Sequence, residues 1–367
     1  MNKHLKQLIE WQIQNNIDVV YINDPINIKY FTNFYCEPEE RIFALFTFKN
    51  KDPFIFAPEL ELDEIKNGTW EYESYGYLDH QDPFKIIAEK IKNKNITIKT
   101  FAIEKNSLSV KLYESIKKEF PSTDFSKDVT KFIQKERLIK SLDEIKLMKE
   151  AGKEADYAFK IGFESIRNNY SEQDIVAEIQ YKLMKKGIMK MSFDTIVQAG
   201  KDAADPHGEP KKNSYISKNE LVLFDLGTVH EGYVSDATRT VAYGNPNKKL
   251  IDMYNVCLEA QETAQESVKP GIKAYELDKI ARDIIKKHNY GKYFIHRLGH
   301  GIGMSVHEFP SIMEGNDLII QPGMCFSIEP GIYIPGIGGV RIEDCVYVTE
   351  NGCQPFTHTP KELTYIN

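Results

Sequence analysis

Two stretches in the C-terminal half follow one plan, and that plan leaves the chain few ways to fold. The first is ELVLFDLGTVHEGYVSDATRTVAYG and the second is GMCFSIEPGIYIPGIGGVRIEDCVYVTENG. Each is an apolar strand ending in an acid, a Gly-rich loop, and a return strand carrying a second acid. Asp225 and Asp236 belong to the first stretch, Glu329 and Glu343 to the second. Alternation puts Leu221, Leu223 and Asp225 on one strand face, and likewise Asp236, Thr238 and Thr240. An acid ending a buried apolar strand is costly unless it is paired or metal-bound. The pattern predicts an internal two-fold repeat in which each half brings one carboxylate pair to a common centre. Residue identity between the two stretches is weak, so pattern alone carries the repeat.

Between them lies HRLGHGIGMSVHEFP, with His296, His300 and His307 close together. Neutral imidazole is a common metal ligand, and glycines beside His300 let backbone approach a buried site closely. Taken singly, each residue has a plainer reading. Asp225 suits an ion pair or a turn cap, Asp236 an ordinary edge strand, and a lone histidine a satisfied core. Arg341 and Glu343 suit a surface pair that stabilises little. Together, Asp225, Asp236, His300, Glu329 and Glu343 make four carboxylates and one imidazole in Gly-punctuated strands. That set points to two divalent metal ions and to metal-assisted hydrolysis. His4, His80, His230, His288 and His358 read as exposed loop residues.

The remaining sequence bounds the setting. At 367 residues the chain suits two domains, and 41% hydrophobic residues supply a core for each. The net charge of -7, with no basic block, argues against a nucleic-acid partner. MNKHLKQLIEWQIQNN is charged and amphipathic and reads as a helix rather than a secretion signal. No apolar run nears the roughly 20 residues of a membrane span. Five scattered cysteines without a CxxC fit reduced thiols in a cytoplasm, with Cys325 and Cys345 as small core residues.

DVVYI, FALFTF, PFIFA and ITIKTFAIE have strand composition, with helical patterns such as PFKIIAEKIKNK between them. They predict an α/β N-terminal domain, a mixed sheet flanked by helices, over residues 1–138. Ser141 and Glu144 form a capping-box pattern ahead of an amphipathic helix, so the catalytic domain is expected over residues 139–367. Two later helices are expected in SEQDIVAEIQYKLMKKG and KAYELDKIARDIIKKHN.

The segments FDLGTVHEGYVSDATRT, HRLGHGIG, VHEFP, SIEPGIY and GVRIED resemble the proline-specific branch of the pita-bread metallopeptidases. The eleven positions from Asp225 to Asp236 and the fourteen from Glu329 to Glu343 are also the family's spacings. SFDTIVQAG, PHGEP, FAPELE and GYLDH extend the likeness, to bacterial prolidases, across nearly the whole chain. The resemblance implies a creatinase-like N-terminal domain and a pita-bread α+β catalytic domain. It implies a cytoplasmic, homodimeric enzyme that hydrolyses Xaa-Pro dipeptides. Asp225, Asp236, His300, Glu329 and Glu343 match the ligands of a dinuclear site, with Asp236 and Glu343 bridging. Mn²⁺ suits this oxygen-rich set, with Co²⁺ and Zn²⁺ as competitors.

By the same resemblance, His307 supports the tetrahedral intermediate, His207 lies near the substrate and Phe193 lines its pocket. Glu329 shuttles the proton to the leaving nitrogen. Arg341 holds the bridging glutamate, while Thr238 and His296 support the ligands. One departure stands out: where some prolidases carry an arginine after HExP, this chain has Ser311. Selectivity for dipeptides then falls to another group, and Arg41 in CEPEERIF is the candidate, its plainer reading being a surface charge. An aminopeptidase acting on longer peptides is the close rival. A binding protein that has lost catalysis is the distant one, and the complete ligand set argues against it.

Overall fold

The computed structural model describes residues 2–367, which divide into two compact units, one ending at Glu136 and one beginning at Arg137. The first contains α1 (Lys3–Gln14), β1 (Val19–Ile22), α2 (Pro25–Thr32), β2 (Ala44–Phe48), β3 (Phe54–Pro58) and α3 (Leu62–Asn67). It continues through β4 (Glu73–Tyr77), α4 (Pro83–Lys92), β5 (Thr100–Ile103), α5 (Val110–Glu119) and β6 (Asp124–Asp128). Helix α6 (Thr130–Leu138) leads into the second unit. The expected N-terminal helix forms, although Met1 lies outside the described residues.

The six strands form one mixed sheet in the order β4-β3-β2-β1-β5-β6. Central strands β1, β2 and β3 are buried along their whole length, which is why their sequences are continuous apolar runs. Aromatic rings fill the core, with Tyr21 stacked on Phe46 at 4.9 Å and Phe56 on Tyr77 at 5.2 Å. Edge strands β4 (ESYGY) and β6 (DFSKD) carry polar, half-exposed side chains and were not among the expected strands. Charged edges discourage pairing with other chains, and the same polarity hides a strand from a hydrophobic pattern.

The second unit begins with α7 (Leu142–Ser165), α8 (Glu172–Lys185), β7 (Ile196–Ala199) and β8 (Glu220–Leu226). The hairpin β9 (Val229–His230) and β10 (Tyr233–Val234) follows, then β11 (Ala237–Tyr243), α9 (Lys248–Glu266) and α10 (Ala274–Lys287). Next come β12 (Gly299–Gly301), β13 (Glu308–Ile312), β14 (Cys325–Ile328), β15 (Gly331–Ile334) and β16 (Gly338–Arg341). The unit ends with β17 (Glu343–Val348), β18 (Cys353–Pro355) and β19 (Tyr365–Ile366). The capping box opens α7: Ser141 Oγ accepts from the Glu144 amide, and Glu144 Oε2 accepts from the Ser141 amide at 2.7 Å. Helix α7 lies hard against its surroundings, since a Cβ at Gly152 would meet the Phe356 carbonyl at 2.1 Å.

A large sheet runs in the order β13-β12-β14-β17-β11-β8-β7. The two similar sequence stretches become two similar structural units, β8–β9–β10–β11 and β14–β15–β16–β17. In each, two long strands of the sheet are joined by a small two-stranded hairpin. The units meet where β11 pairs antiparallel with β17. Among the described residues no helix is long and apolar enough to cross a membrane. The five cysteines are all unpaired, and Cys325 and Cys345 sit in one core cluster with Met148, Ile302 and Phe356.

Candidate metal centre

Strand register sets the centre. Thr238 on β11 lies opposite Asp225 on β8 and opposite Glu343 on β17. Three strands therefore carry a row acid–threonine–acid, and residues directly opposite on neighbouring strands share a face. Thr238 donates to Glu343 Oε2 at 2.7 Å and accepts from Arg341 Nε at 3.1 Å. Arg341 Nη2 donates to Asp225 Oδ2, and its Nη1 donates to the Tyr333 hydroxyl at 2.8 Å. The small hydroxyl lets one buried arginine stabilise two acids at once.

The second group comes from β12 and the ends of β11 and β14. His300 Nε2 is 3.2 Å from Glu329 Oε1 and 3.6 Å from Asp236 Oδ2. Its Nδ1 faces the Gly301 carbonyl at 3.1 Å, so Nδ1 carries a proton, and Nε2 points at the two carboxylates. Ser327 Oγ accepts from the His300 amide and donates to Glu329 Oε1, both at 2.9 Å. Glycines flanking His300 permit this: a Cβ at Gly299 would meet the Ser327 carbonyl at 1.9 Å, and one at Gly301 the Phe309 carbonyl at 2.4 Å.

Ligand atoms of Asp236, His300 and Glu343 lie within 4.8 Å of one another, and all three residues are buried. Asp225 Oδ1 and Glu343 Oε1 are buried without a hydrogen-bond partner. Burial pushes the carboxyls of Asp236 and Glu343 well above the usual range, and the neighbouring acids push them further. Burial also raises Asp225, with Arg341 opposing. Burial disfavours ionised Glu329 too, yet the hydrogen bond and charge of His300 hold it down at about 2. Four clustered acids, two of them with an unfilled acceptor atom, outnumber the single buried cation Arg341, and the oxygen-rich donor set fits hard divalent cations.

These residues line a cavity of about 530 Å³. Residues 146–350 match the family described as metallopeptidase family M24, and residues 4–139 match the creatinase/prolidase N-terminal domain. The chain belongs to metallopeptidase family M24. A curated relative, the Xaa-Pro dipeptidase of Lactobacillus helveticus, is 54% identical over 364 residues, covering 99% of each chain. The prolidase of Pyrococcus horikoshii OT3 superposes with a TM-score of 0.90 at 37% identity, covering 99% of this chain and 100% of that one. The X-Pro aminopeptidase of Thermotoga maritima superposes with a TM-score of 0.89 at 29% identity, covering 99% of each chain. As an M24 peptidase the chain is metal-dependent, and Asp236, His300 and Glu343 form its buried metal-binding group.

The M24 cavity gathers most of the residues expected to serve it. His207, His296, His307 and Phe193 line it together with Asp225, Glu329 and Arg341. The His307 ring packs edge-on to His300, with centroids 4.1 Å apart. Burial and the neighbouring His300 and Arg297 push its imidazole down to about 4, so it is neutral at pH 7. His296 donates from Nδ1 to the Arg297 carbonyl and accepts the Tyr333 hydroxyl on Nε2 at 3.0 Å. It supports the centre through Tyr333 and Arg341 rather than by touching a ligand.

The expectations for Arg341 and His230 change. Arg341 was expected on Glu343. Its direct partner is Asp225, and it reaches Glu343 only through Thr238, because the register puts the threonine between them. His230 was read as an exposed loop residue but sits half-buried in β9, with Nδ1 2.8 Å from Glu154. Arg41 is held in the N-terminal unit by Asp79, with Nε 2.9 Å from Oδ1. Sequence reasoning also passed over Arg297, which lines the cavity and donates to Ser311 Oγ at 2.9 Å. Its position three residues before His300 was the available signal.

Proposed function

We propose that this M24 chain is an Xaa-Pro dipeptidase, hydrolysing the bond before proline in dipeptides. The observation that carries the reading is the cavity wall, where four acids and one imidazole converge and Asp225 and Glu343 each keep an unfilled acceptor atom. Likeness to a relative named Xaa-Pro dipeptidase over 99% of both chains supports the substrate class. Asp225, Asp236, His300, Glu329 and Glu343 would hold two divalent ions, with Mn²⁺ favoured by the carboxylate-rich set. When bound, such ions activate water and polarise the scissile carbonyl.

The chain's own groups do the rest. His307, neutral and facing the cavity, donates a hydrogen bond to the developing oxyanion. Glu329, ionised and close to His300, takes the water's proton and passes it to the prolyl nitrogen. Phe193 forms an apolar wall, and His207 at the rim contacts substrate. Arg297, on the wall beside Ser311, offers the terminal carboxylate a cation where the arginine after HExP is missing. The reading includes a cytoplasmic homodimer in which the Arg41 segment gates peptide length.

The test is hydrolysis of Leu-Pro beside Leu-Pro-Gly by metal-stripped protein with Mn²⁺ restored. The expected outcome is cleavage of the dipeptide alone. Equal or faster cleavage of the tripeptide makes the chain an aminopeptidase and means that Ser311 marks an open end of the site. Loss of the length preference in Arg41→Ala is expected, and an unchanged preference removes Arg41 from the mechanism.

A further inference from the structure

We propose that Arg137, Lys140 and Glu308 form a buried clamp that positions His307, making them positioning residues for the oxyanion donor. The inference rests on the role given to His307 above. His307 sits in the turn 302–307 between β12 and β13, a segment with little regular structure of its own. Such a segment holds a side chain in place only if other groups fix its ends.

The clamp fixes both ends. Glu308, the residue after His307, accepts from the Ser305 amide on Oε1 at 2.9 Å, which closes the turn around Val306 and His307. Arg137 Nη2 donates to Ser305 Oγ at 3.0 Å and also to Glu308 Oε1, so one guanidinium grips the turn on either side of His307. Lys140 Nζ holds the other oxygen, Oε2, at 3.2 Å. The side chains of Arg137, Lys140 and Glu308 are 12%, 2% and 7% exposed, so solvent does not screen the triad. Burial opposes ionised Glu308, yet Lys140 and Arg137 hold its carboxyl below the ordinary value.

The cations do not hang from a loose strand. The Lys140 amide donates to the Gly323 carbonyl at 2.8 Å, and Ile139 forms a bridge with Met324, next to β14. The clamp thus ties the His307 turn to the strand whose continuation carries Glu329. Gly303 completes the fit, since a Cβ there would meet Lys140 Cε at 2.8 Å and the Glu308 carboxylate at 2.9 Å. None of the three residues is among those lining the catalytic cavity, so they have no part in binding substrate directly. A displacement of a catalytic group by about 1 Å costs on the order of 100-fold in rate, which sets the scale on which a positioning group acts.

The test is a double-mutant cycle on the Mn²⁺-loaded enzyme with Leu-Pro, reading kcat and KM separately. E308Q keeps the side chain's shape and weakens its grip on both cations. It is expected to lower kcat about 10-fold or more and to change KM less than about 3-fold. In a His307→Ala background the same substitution is expected to change kcat less than about 2-fold, because residues acting as a unit are not additive. Equal losses in both backgrounds, with His307→Ala itself impaired, overturn the clamp alone. A His307→Ala variant with normal kcat overturns the role of His307 and the clamp with it. Should E308Q fold poorly, R137Q leaves Lys140 on Glu308 and carries the same cycle, with about a 3- to 10-fold loss expected only where His307 is present.

Discussion

Glu343 and Asp344 are neighbours on β17, so they point to opposite faces of one sheet, and both are buried. On the far face Asp344 is fully provided for. Its Oδ1 accepts from Arg239 Nη2 at 2.7 Å and from Thr357 Oγ1 at 3.0 Å, and Lys361 Nζ is 3.2 Å from Oδ2. Arg239 spends its remaining donors on the carbonyls of Glu343, Thr238 and Thr359. On the near face Glu343 has Thr238 on one oxygen and nothing on the other, and Asp225 likewise keeps one bare oxygen. Desolvation costs both acids about equally, so the difference lies in who supplies the positive charge. The far face gets it from the chain and is structural. The near face has only Arg341, which leaves one oxygen of Asp225 and one of Glu343 unfilled, and Glu343 belongs to the buried metal-binding group.

The largest test of this contrast is Asp236→Asn. It removes one acid from the near face, and metal-dependent turnover is expected to fall about 1,000-fold or more. The metal-free variant is expected to melt at or above the parent's temperature, because a buried like charge is gone. Turnover near normal, with metal content unchanged, breaks the assignment. Arg239→Met is the counterpart on the far face. Leaving Asp344 with only Lys361 and the Thr357 hydroxyl is expected to cost about 3 kcal/mol, near the low end for breaking a buried pair, read as a lower urea midpoint. A cost below about 1 kcal/mol would mean that the two faces differ less than their partners suggest.

Much of this was legible in the sequence because it depends on period and punctuation. The repeated strand–loop–strand units, the capping box at Ser141 and the acids at strand ends all survive as structure. What alternation cannot give is the neighbour across a strand. The resemblance puts Arg341 on Glu343, but only the register of β11 against β8 and β17 interposes Thr238 and sends the guanidinium to Asp225. The clamp on Glu308 was hidden for the same reason, since Arg137 and Lys140 lie 171 and 168 positions away along the chain. Strands β4 and β6 were hidden differently, by edge polarity that imitates a loop.

Glu104 supplies an intermediate case, in the N-terminal unit. It is buried and held by neutral donors, the amides of Asn23 and Asp24 and the side chain of Asn27, at 2.6, 2.9 and 2.6 Å. Burial raises its carboxyl to about 7, with the donors opposing. A carboxyl raised on folding holds its proton more tightly in the folded chain. Its contribution is therefore fully present below the unfolded value near 4.5 and is lost as pH rises through about 7. The urea midpoint of metal-free protein is expected to fall between pH 5 and pH 8 by an amount worth about 2 kcal/mol that is missing in Glu104→Gln. Equal slopes in parent and variant would mean that neutral donors suffice for a buried acid, and would weaken the case that the bare near face needs a cation.

Thr238→Val gives the smallest effect and the sharpest reading. Valine keeps the volume and the strand preference, so the register Asp225–238–Glu343 survives. It removes the donor to Glu343 and the acceptor for Arg341, and leaves the Arg341–Asp225 contact in place. If the near face is built to present its acids to cations, losing this support is expected to weaken Mn²⁺ binding about 10-fold, the low end for groups that orient metal ligands. Titration calorimetry reads that change without reference to turnover. Fold stability is expected to move little in the same variant, because Arg341 still has Asp225 and Tyr333. A variant that lost stability but kept its Mn²⁺ affinity would show Thr238 to be a second structural partner like those of Asp344, and the two faces would then differ only in the residues that touch the ion.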